Sequence, residues 1–573
     1  MPYAAPLADM RLALATIAGL TGEAAELAGP VLEEAARFAE SELDPLNQPA
    51  DRSGGSVLEN GVVRTPKGFR EAYRAYVDAG WMGLASDPEH GGQGLPLALA
   101  APVIEMWNSA CMGWALCPLL NHGALALLEA HGSDEQKRLY LRKLVSGEWT
   151  GTMNLTEPQA GSDLGALRSR AVPARDERWG EHYRISGQKI FITYGDHDLT
   201  DNIVHMVLAR APDAPPGSRG ISLFLVPKFL PDGDGRPGQR NDIRTLRLEE
   251  KLGIHASPTC VLSYGEEDGA IGWRIGDENR GLECMFTMMN SERLLVAVQG
   301  VAIAERAYQQ AREYARTRVQ GRPLGAPPDK AGLPIAYHPD VRRMLLSMRA
   351  GTEAARGLVY CAAVAIDAAR LNPNDERAQR RADLLIPVVK GWCTDLAVEI
   401  ASTGIQVHGG MGYVEETGVA QYLRDARILP IYEGTNGIQA NDLVGRKLGR
   451  DRGEAARELI AEMRETASAL KPSPVTERLA AGIDTLEHAT EYLVQTGAPL
   501  AAAGSSPYLA LFGTVAGGWM LARQVLAAKD DEGAAVKRAV ARFYAEHYLT
   551  RAPAYLPAIK AGATVTEFDP DWL

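Results

Sequence analysis

Apolar and polar residues follow a helical period over about the first 147 residues of the chain. Stretches such as 23–43 are rich in Ala, Glu and Leu, with apolar residues three or four positions apart, which places them on one face of a helix. The Gly- and Pro-rich segment 86–96 interrupts the pattern and predicts a loop. The sequence therefore predicts a helical N-terminal domain over residues 1–150.

The pattern changes near residue 150 to short apolar runs that are typical of strands. We predict that 182–195 forms a strand, a Ser-Gly turn and a second strand, and that 202–210 and 220–228 are further strands. The run 260–266 is expected to close the series. Gly-, Pro- and Asp-rich loops separate the runs, so we predict a compact β domain over residues 151–270.

Helical periodicity returns near residue 281. It predicts helices over 281–318, 338–370 and 376–403 and a fourth that begins near 437, with a kink at Pro387. Four long helices favour a bundle, which we assign to residues 280–450.

A further helical region follows over residues 453–573. Its most regular apolar stripe consists of Tyr508, Phe512, Val515 and Trp519. Such a stripe is more typical of core or subunit packing than of a ligand site. The predicted fold class is thus α+β and multidomain, with an extra C-terminal helical domain.

Composition narrows the class of protein. The 573 residues are 46% hydrophobic and 23% charged, with a formal net charge of −12, which excludes a mainly disordered chain and disfavours general nucleic-acid binding. The six cysteines fit no disulfide scaffold or zinc spacing. We see no run of eighteen apolar residues and no signal peptide, and we expect a cytoplasmic enzyme.

Several common catalytic motifs are absent from the sequence. There is no P-loop, no HExxH and no GxSxG motif, and the Gly-rich segment 409–413 follows a predicted helix rather than a strand. His197 with its neighbours Asp196 and Asp198 is a weak metal candidate, because adjacent residues rarely converge on one ion. We predict no metal site.

Two segments carry candidate chemistry. The loop 154–171 offers hydroxyl and backbone N–H groups around Thr156, Gly161 and Ser162; it could hold a polar ring edge or a phosphate, or it could be a connector that caps a helix. Glu433 precedes a Gly-Thr-Asn-Gly turn, in which we expect Asn436 to cap the next helix with Gln439 as its partner. Glu433 is then either a desolvated general base or a solvated loop carboxylate.

Six motifs in register resemble the acyl-CoA dehydrogenase family. They are LTEPQAGSD (155–163), QKIFITYG (188–195), MNSER (289–293), RTRVQGRP (316–323), QVHGGMGY (406–413) and LPIYEGTNGIQ (429–439). The similarity spans residues from about 40 to 448. The N-terminal extension, segment 195–205 and the added C-terminal domain resemble a long bacterial branch of this family.

The resemblance implies a helical N-terminal domain, a middle β-barrel and a four-helix bundle, with FAD between the last two. It implies α,β-dehydrogenation of an acyl-CoA thioester to a trans-2-enoyl-CoA. In that reaction Glu433 takes the α-proton and flavin N5 accepts the β-hydrogen as hydride. The thioester carbonyl is polarised by the backbone N–H of the catalytic Glu and by a ribityl hydroxyl of FAD, an oxyanion-hole arrangement.

The resemblance also implies a set of binding residues. The cofactor-binding residues are Met153, Leu155, Thr156, Gly161, Ser162, Phe191, Ile192, Thr193, Arg318, Gln320, Gln406, Gly409, Gly410 and Thr435. The substrate-binding residues are Ser162, Asn290, Arg293 and Gly434. Phe191 stands where many members have Trp, and an aromatic ring is retained.

Partners follow from the same resemblance. We expect an acyl-CoA substrate, an electron-transfer flavoprotein as electron acceptor and a homodimer, with no nucleic-acid partner. The alternative is a DNA-associated flavoprotein of the alkylation-response type. Residues 451–573 carry 12 Lys and Arg against 16 Asp and Glu, a net charge of −4, which is the wrong sign for a duplex-binding domain.

Overall fold

The computed structural model describes residues 1–327, 332–528 and 532–572. The chain folds into two compact units. The first, the helical unit, comprises Met1–Glu40, Pro96–Ser109 and Val296–Leu573, and the second, the β unit, comprises Ser41–Leu95 and Ala110–Leu295. The predicted α+β multidomain class with an extra C-terminal helical domain is confirmed.

The α-helices are numbered in chain order. They are α1 (Leu7–Ala13), α2 (Gly22–Phe38), α3 (Asp44–Arg52), α4 (Phe69–Asp78), α5 (Leu97–His131), α6 (Asp134–Gln136), α7 (Arg142–Ser146), α8 (Gly281–Thr317), α9 (Pro339–Leu371), α10 (Glu376–His408), α11 (Val419–Ala426), α12 (Asn436–Asp442), α13 (Gly449–Asp451), α14 (Glu454–Ala469), α15 (Pro474–Gln495), α16 (Ala498–Ala503), α17 (Ser505–Ala527), α18 (Glu532–His547), α19 (Ala552–Lys560) and α20 (Gly562–Thr566).

The strands are numbered in the same way. They are β1 (Val57–Glu59), β2 (Val62–Arg64), β3 (Trp149–Asn154), β4 (Arg170–Asp176), β5 (Gly180–Thr193), β6 (Asn202–Ala209), β7 (Ser222–Pro227), β8 (Phe229–Pro231), β9 (Pro237–Arg240), β10 (Ile243–Leu248), β11 (Thr259–Tyr264) and β12 (Ala270–Ile275).

An eight-stranded sheet forms the centre of the β unit. Its strand order is β10-β11-β5-β12-β7-β6-β3, and β4 pairs with β5. The β3–β6 pair is parallel, whereas the other pairs of this sheet are antiparallel. The apolar side chains of these strands form a core of fully buried residues that include Ile185, Val207 and Phe224.

The prediction of a turn at Ser186 and Gly187 is wrong. Ser186 and Gly187 lie inside one continuous strand, whose first half pairs with β4 and β12 and whose second half pairs with β11. Gly187 has a φ of 143° and leaves room for Ser169, whose Oγ would lie 2.3 Å from an added Cβ. Glycine therefore allows the strand to change partners without turning. The run 260–266 does not end the series, because β12 follows it.

The three predicted long helices of the bundle correspond to α8, α9 and α10. The helix predicted from residue 437 is short: α12 gives way to a π-helical segment, Leu443–Leu448. Helix α17 packs against α9 and α10, and its predicted stripe of Tyr508, Phe512, Val515 and Trp519 is buried.

Helices α10 and α17 approach each other closely. A Cβ added at Gly513 would lie 2.1 Å from Cγ of Trp392, and one at Gly517 would lie 2.7 Å from Cη2 of the same ring. Because Gly513 and Gly517 have no side chains, the Trp392 ring of α10 packs directly against the backbone of α17. The C-terminal helices thus share one packed interior with the bundle. Helices α5 and α17 are long and apolar enough to cross a membrane, but most of their residues are buried inside the protein.

Candidate functional site

The first group of predicted residues lies at the end of β3 in the β unit. The backbone N–H of Ile190 donates to the carbonyl of Thr156 at 2.9 Å, so the segment after β3 lies beside the end of β5. Leu155 is buried, whereas Met153 and Thr156 are half-buried. The structure thus brings the 153–156 segment and β5 together.

A buried ion pair fixes the loop that follows. Nζ of Lys189 lies 2.9 Å from Oε1 of Glu157 and donates to the carbonyl of Leu155 at 3.1 Å. The Glu157 carboxylate also accepts from both the backbone and the hydroxyl of Ser169. Burial by itself raises the pKa of Glu157, but the Lys189 ammonium and these hydrogen bonds lower it to about 2. Sequence reasoning missed this pair, although a lone Lys in the apolar run KIFIT signals a buried cation.

Phe191 presents an exposed aromatic ring on β5. Its φ is 61° and 59% of the residue is exposed, whereas Ile192 is buried and Thr193 is half-buried opposite Thr259. A large ring left facing solvent next to a loop with exposed Gly161 and Ser162 is a surface on which a flat aromatic group can stack. These side chains fit a flavin ring.

Asn290 and Arg293 lie one helical turn apart on α8. Oδ1 of Asn290 accepts a hydrogen bond from Nη1 of Arg293 at 3.1 Å. The Arg293 side chain is buried and belongs to the β unit. The pair combines a guanidinium with an amide, which suits a phosphate or a carbonyl group.

Glu433 lies in a tight turn of the helical unit, between α11 and α12. Its φ is 57° and that of Gly434 is 86°, so two successive residues are left-handed. Gln439 on α12 donates to the carbonyls of Glu433 and Gly434, at 3.2 Å each. Glu433 is half-buried.

The helix cap differs from the predicted one. Thr435 caps α12, and its hydroxyl accepts from the backbone N–H of Ile438. Asn436 instead turns its side chain to α10, where Nδ2 contacts Thr394 and Asp395. The prediction of an Asn436–Gln439 capping pair is therefore wrong, because Thr435 offers a hydroxyl one residue earlier.

The remaining predicted cofactor residues are exposed. Gln406 lies in the last turn of α10, and Gly409 and Gly410 begin the short helix that follows, with no atom within 4 Å of an added Cβ at either glycine. Arg318 and Gln320 follow α8, also exposed. Such an open glycine pair permits close approach of a polar ligand.

Two candidate histidines have structural roles. Nδ1 of His197 accepts from the N–H of Leu199 at 3.1 Å and its Nε2 donates to Thr150 at 2.9 Å, while burial lowers the pKa of His197 to about 3. His408 is buried and stacks on Tyr314 at 4.4 Å between ring centroids. No group of three metal-ligating side chains occurs among the described residues.

Two basic residues of the C-terminal region, Lys537 and Arg542, are paired with acids. Lys537 is buried and contacts Glu353 at 2.6 Å and Asp9 at 2.7 Å. Arg542 is paired with Glu546. Lys529 lies outside the described residues. The DNA-associated alternative is not favoured.

Four family models match the chain. They are the acyl-CoA dehydrogenase N-terminal domain over residues 30–148, the middle domain over 152–266, the C-terminal domain over 279–448 and an acetyl-CoA dehydrogenase C-terminal-like domain over 459–569.

The chain is 48% identical to 3-methylmercaptopropionyl-CoA dehydrogenase of Ruegeria pomeroyi, over 97% of each chain. It is 34% identical to a broad-specificity linear acyl-CoA dehydrogenase of Mycobacterium tuberculosis, over 93% of this chain and 90% of that one. Its fold is similar to that of Caenorhabditis elegans ACDH-11 in complex with C11-CoA, with a TM-score of 0.80, 22% identity and coverage of 99% and 96% of the two chains.

Proposed function

The chain belongs to the acyl-CoA dehydrogenase family, and from that premise we propose a reaction in which Glu433 takes the α-proton of an acyl-CoA. The protein is a flavin-dependent oxidoreductase that acts on acyl-CoA thioesters, with FAD as its cofactor. The proposed product is the trans-2-enoyl-CoA, because the proton leaves the α carbon and the second hydrogen leaves the neighbouring β carbon.

The observation that carries the proposal is the fixed left-handed turn at Glu433. The left-handed region is sparsely populated by residues other than Gly, Asn and Asp, and such conformations cluster at functional sites. Here the turn places a half-buried carboxylate directly before a glycine. A carboxylate held in one orientation can remove a weakly acidic proton, provided that the thioester carbonyl is polarised at the same time.

We propose that the residues identified by the sequence motifs bind FAD. In the β unit, the exposed ring of Phe191 fits an aromatic ring system. In the helical unit, the open surface at Gly409 and Gly410 fits a polar group. Thr156 and Thr193 supply hydroxyls for the polar edge of a ring, and Arg318 supplies a cation for a phosphate. When bound, FAD supplies the two-electron acceptor for the dehydrogenation.

We propose that Ser162, Asn290, Arg293 and Gly434 hold the CoA portion of the substrate. For the acyl group, the relative in Ruegeria pomeroyi makes 3-(methylthio)propionyl-CoA the leading candidate. The relative in Mycobacterium tuberculosis, whose name specifies linear acyl groups, makes unbranched acyl-CoAs the second candidate.

We further propose an electron-transfer flavoprotein as acceptor and a homodimer as the assembly. Packing of α17 against α9 and α10 supports the homodimer, because it covers a face of the bundle with the chain's own C-terminal helices. Light scattering in solution tests this, and a tetramer would refute it.

The visible spectrum of the purified protein tests the proposed function. Recorded without oxygen, the flavin bands should bleach on addition of 3-(methylthio)propionyl-CoA, or of a linear acyl-CoA from a panel of chain lengths. The Glu433→Gln variant should keep its flavin bands and fail to bleach. A wild-type protein that binds FAD but bleaches with no acyl-CoA would overturn the proposed dehydrogenation, and a Glu433→Gln variant that bleaches like the wild type would overturn the assignment of Glu433 as base.

A further inference from the structure

Lys390 lies in the middle of α10 and is fully buried. It follows the apolar run LLIPVV. Its Nζ donates to the carbonyl of Gly434 at 2.7 Å and to Oδ1 of Asn436 at 2.9 Å. These two acceptors are one and three residues after Glu433, so this lysine contacts the turn that carries the proposed base.

Burying an ammonium group is unfavourable unless hydrogen bonds replace the lost water. A smaller polar residue or an apolar residue would avoid that cost at this position of α10. The lysine therefore indicates that the turn requires the support, since only a long side chain with several N–H donors reaches both acceptors at once.

The left-handed turn at Glu433 and Gly434 requires stabilising contacts. A left-handed Glu is less stable than one in an ordinary helical conformation, and such residues persist only where several surrounding contacts hold them. Lys390 and Gln439 both bind the carbonyl of Gly434, at 2.7 and 3.2 Å. The orientation of that peptide group is thus fixed from two helices.

The opposite side of Glu433 is held in a similar way. The hydroxyl of Tyr432 donates a hydrogen bond to Oε1 of Gln299 on α8. Nε2 of Gln299 in turn donates to Oδ1 of Asn108 at 3.1 Å. The residues before and after Glu433 are therefore each anchored by a buried side chain, which holds the backbone of the turn on both sides of Glu433.

We propose that Lys390 is a positioning residue for the α-proton base. It acts through the backbone of Gly434 and the side chain of Asn436, and not by contact with the substrate. This inference rests on the proposed function, because it presumes that Glu433 removes the proton. A misplacement of a catalytic group by about 1 Å can cost on the order of 100-fold in rate, so loss of Lys390 should slow proton removal more than it weakens binding.

The test uses a matched pair of variants, Lys390→Met and Lys390→Gln. The two new side chains have similar length and shape, and only Gln retains an N–H donor. Lys537→Met is the control, since Lys537 is another buried lysine of the helical unit whose partners are Glu353 and Asp9. It removes a buried ammonium whose partners lie outside the turn of Glu433.

The readout separates proton removal from oxidation. (Methylthio)acetyl-CoA has sulfur in place of the β carbon, so that only the exchange of its α-hydrogens with deuterated solvent is possible. FAD content and the melting temperature are measured on the same samples. Hydrogen exchange of the peptide 428–440 in the protein without substrate reports the mobility of the turn independently of activity.

We expect Lys390→Met to bind FAD, to exchange the α-hydrogens at least about tenfold more slowly than the wild type and to exchange the 428–440 amides faster. Lys390→Gln should recover part of the rate, and Lys537→Met should keep it. Equal rates in Lys390→Met and Lys537→Met would overturn the inference. If Lys390→Met does not fold, the Asn436→Ala variant tests the inference in its place. An α-hydrogen exchange rate equal to that of the wild type in Asn436→Ala would then refute it. A wild-type protein that exchanges no α-hydrogen refutes the proposed function instead.

Discussion

The ammonium of Lys189 and the carboxylate of Glu157 form an ion pair in the interior of the β unit, with 2.9 Å between Nζ and Oε1. Glu157 belongs to the loop after β3, and Lys189 belongs to β5. The pair therefore joins the two segments to which we assign the flavin ring.

Glu157→Gln should lower both stability and FAD content. Removing one partner of a buried pair leaves an uncompensated charge, which typically costs about 3–5 kcal/mol. We expect a melting temperature several degrees lower and a reduced ratio of flavin to protein absorbance.

Two variants serve as controls for this prediction. Glu267→Gln removes an acid from the exposed pair with Arg244 and should change stability by less than about 0.5 kcal/mol. The double variant Glu157→Leu with Lys189→Met should be more stable than Glu157→Gln, because no charge is left buried. Equal stabilities of the wild type and Glu157→Gln would contradict the prediction.

Acid should destabilise the β unit through His197. Its pKa is about 3 in the folded protein because of burial, and Lys228 adds to the effect, whereas an unfolded histidine has a pKa near 6.5. The unfolded state therefore binds more protons between these values, and stability falls as the pH drops from about 6.5 to 3, by up to about 1.4 kcal/mol per pH unit.

Urea unfolding at pH 7.5, 5.5 and 4.5 measures this dependence. His197→Asn should be less stable at pH 7.5, because it loses the bond to Thr150, and should show a shallower loss below pH 6.5. His488→Asn, at an exposed position, should keep the wild-type slope. A wild-type slope in His197→Asn would show that another group causes the acid sensitivity.

Glu433→Gln should reduce turnover by a factor of about 100 to 10,000, which is the usual contribution of a general base. The amide is similar in size to the carboxylate, so FAD content and melting temperature should remain unchanged. Glu416→Gln, an exposed acid in the neighbouring loop, is the matched control and should keep full activity. Substantial activity in Glu433→Gln would assign the base to another residue.

Gly513→Ala should destabilise the helical unit by about 1–3 kcal/mol, because the added methyl group would overlap the indole of Trp392. Thermal unfolding measures the effect. Gly29→Ala is the control: Gly29 lies within α2 with no atom within 4 Å of an added Cβ, and the change should be neutral or slightly stabilising. Equal melting temperatures for the two variants would argue against the close approach of α10 and α17.

Local patterns predicted the long elements of the fold well. The period of apolar residues identified α8, α9 and α10 to within a few residues, except at the C-terminal end of α10. The change from helical periodicity to short apolar runs identified the β domain. Ser186 and Gly187 misled the prediction, because the same dipeptide can end a strand or let it change partners. Only the pairing of β5 with three other strands distinguishes these outcomes.

The residues of the candidate site could be predicted only where they belong to a recognisable sequence motif. Glu433 and Thr156 came from resemblance, since spacing alone left both a catalytic and a structural interpretation open. Lys390 lies outside the six motifs, and Lys189 lies within one of them that assigned it no role; their partners lie 44 and 32 residues away in the chain. A lone cation in an apolar run signals a buried partner, but the identity of that partner emerges only from tertiary structure.

The packing of Trp392 against Gly513 and Gly517 constrains how the sequence can evolve. The ring and the two glycines fill one another's space, so a substitution on either side requires a compensating one on the other. The C-terminal helices and the bundle must therefore change together during evolution. A gene truncated before these helices would encode a protein in which Trp392 is exposed, and we expect that protein to aggregate. The added region is a permanent part of the enzyme rather than a detachable module.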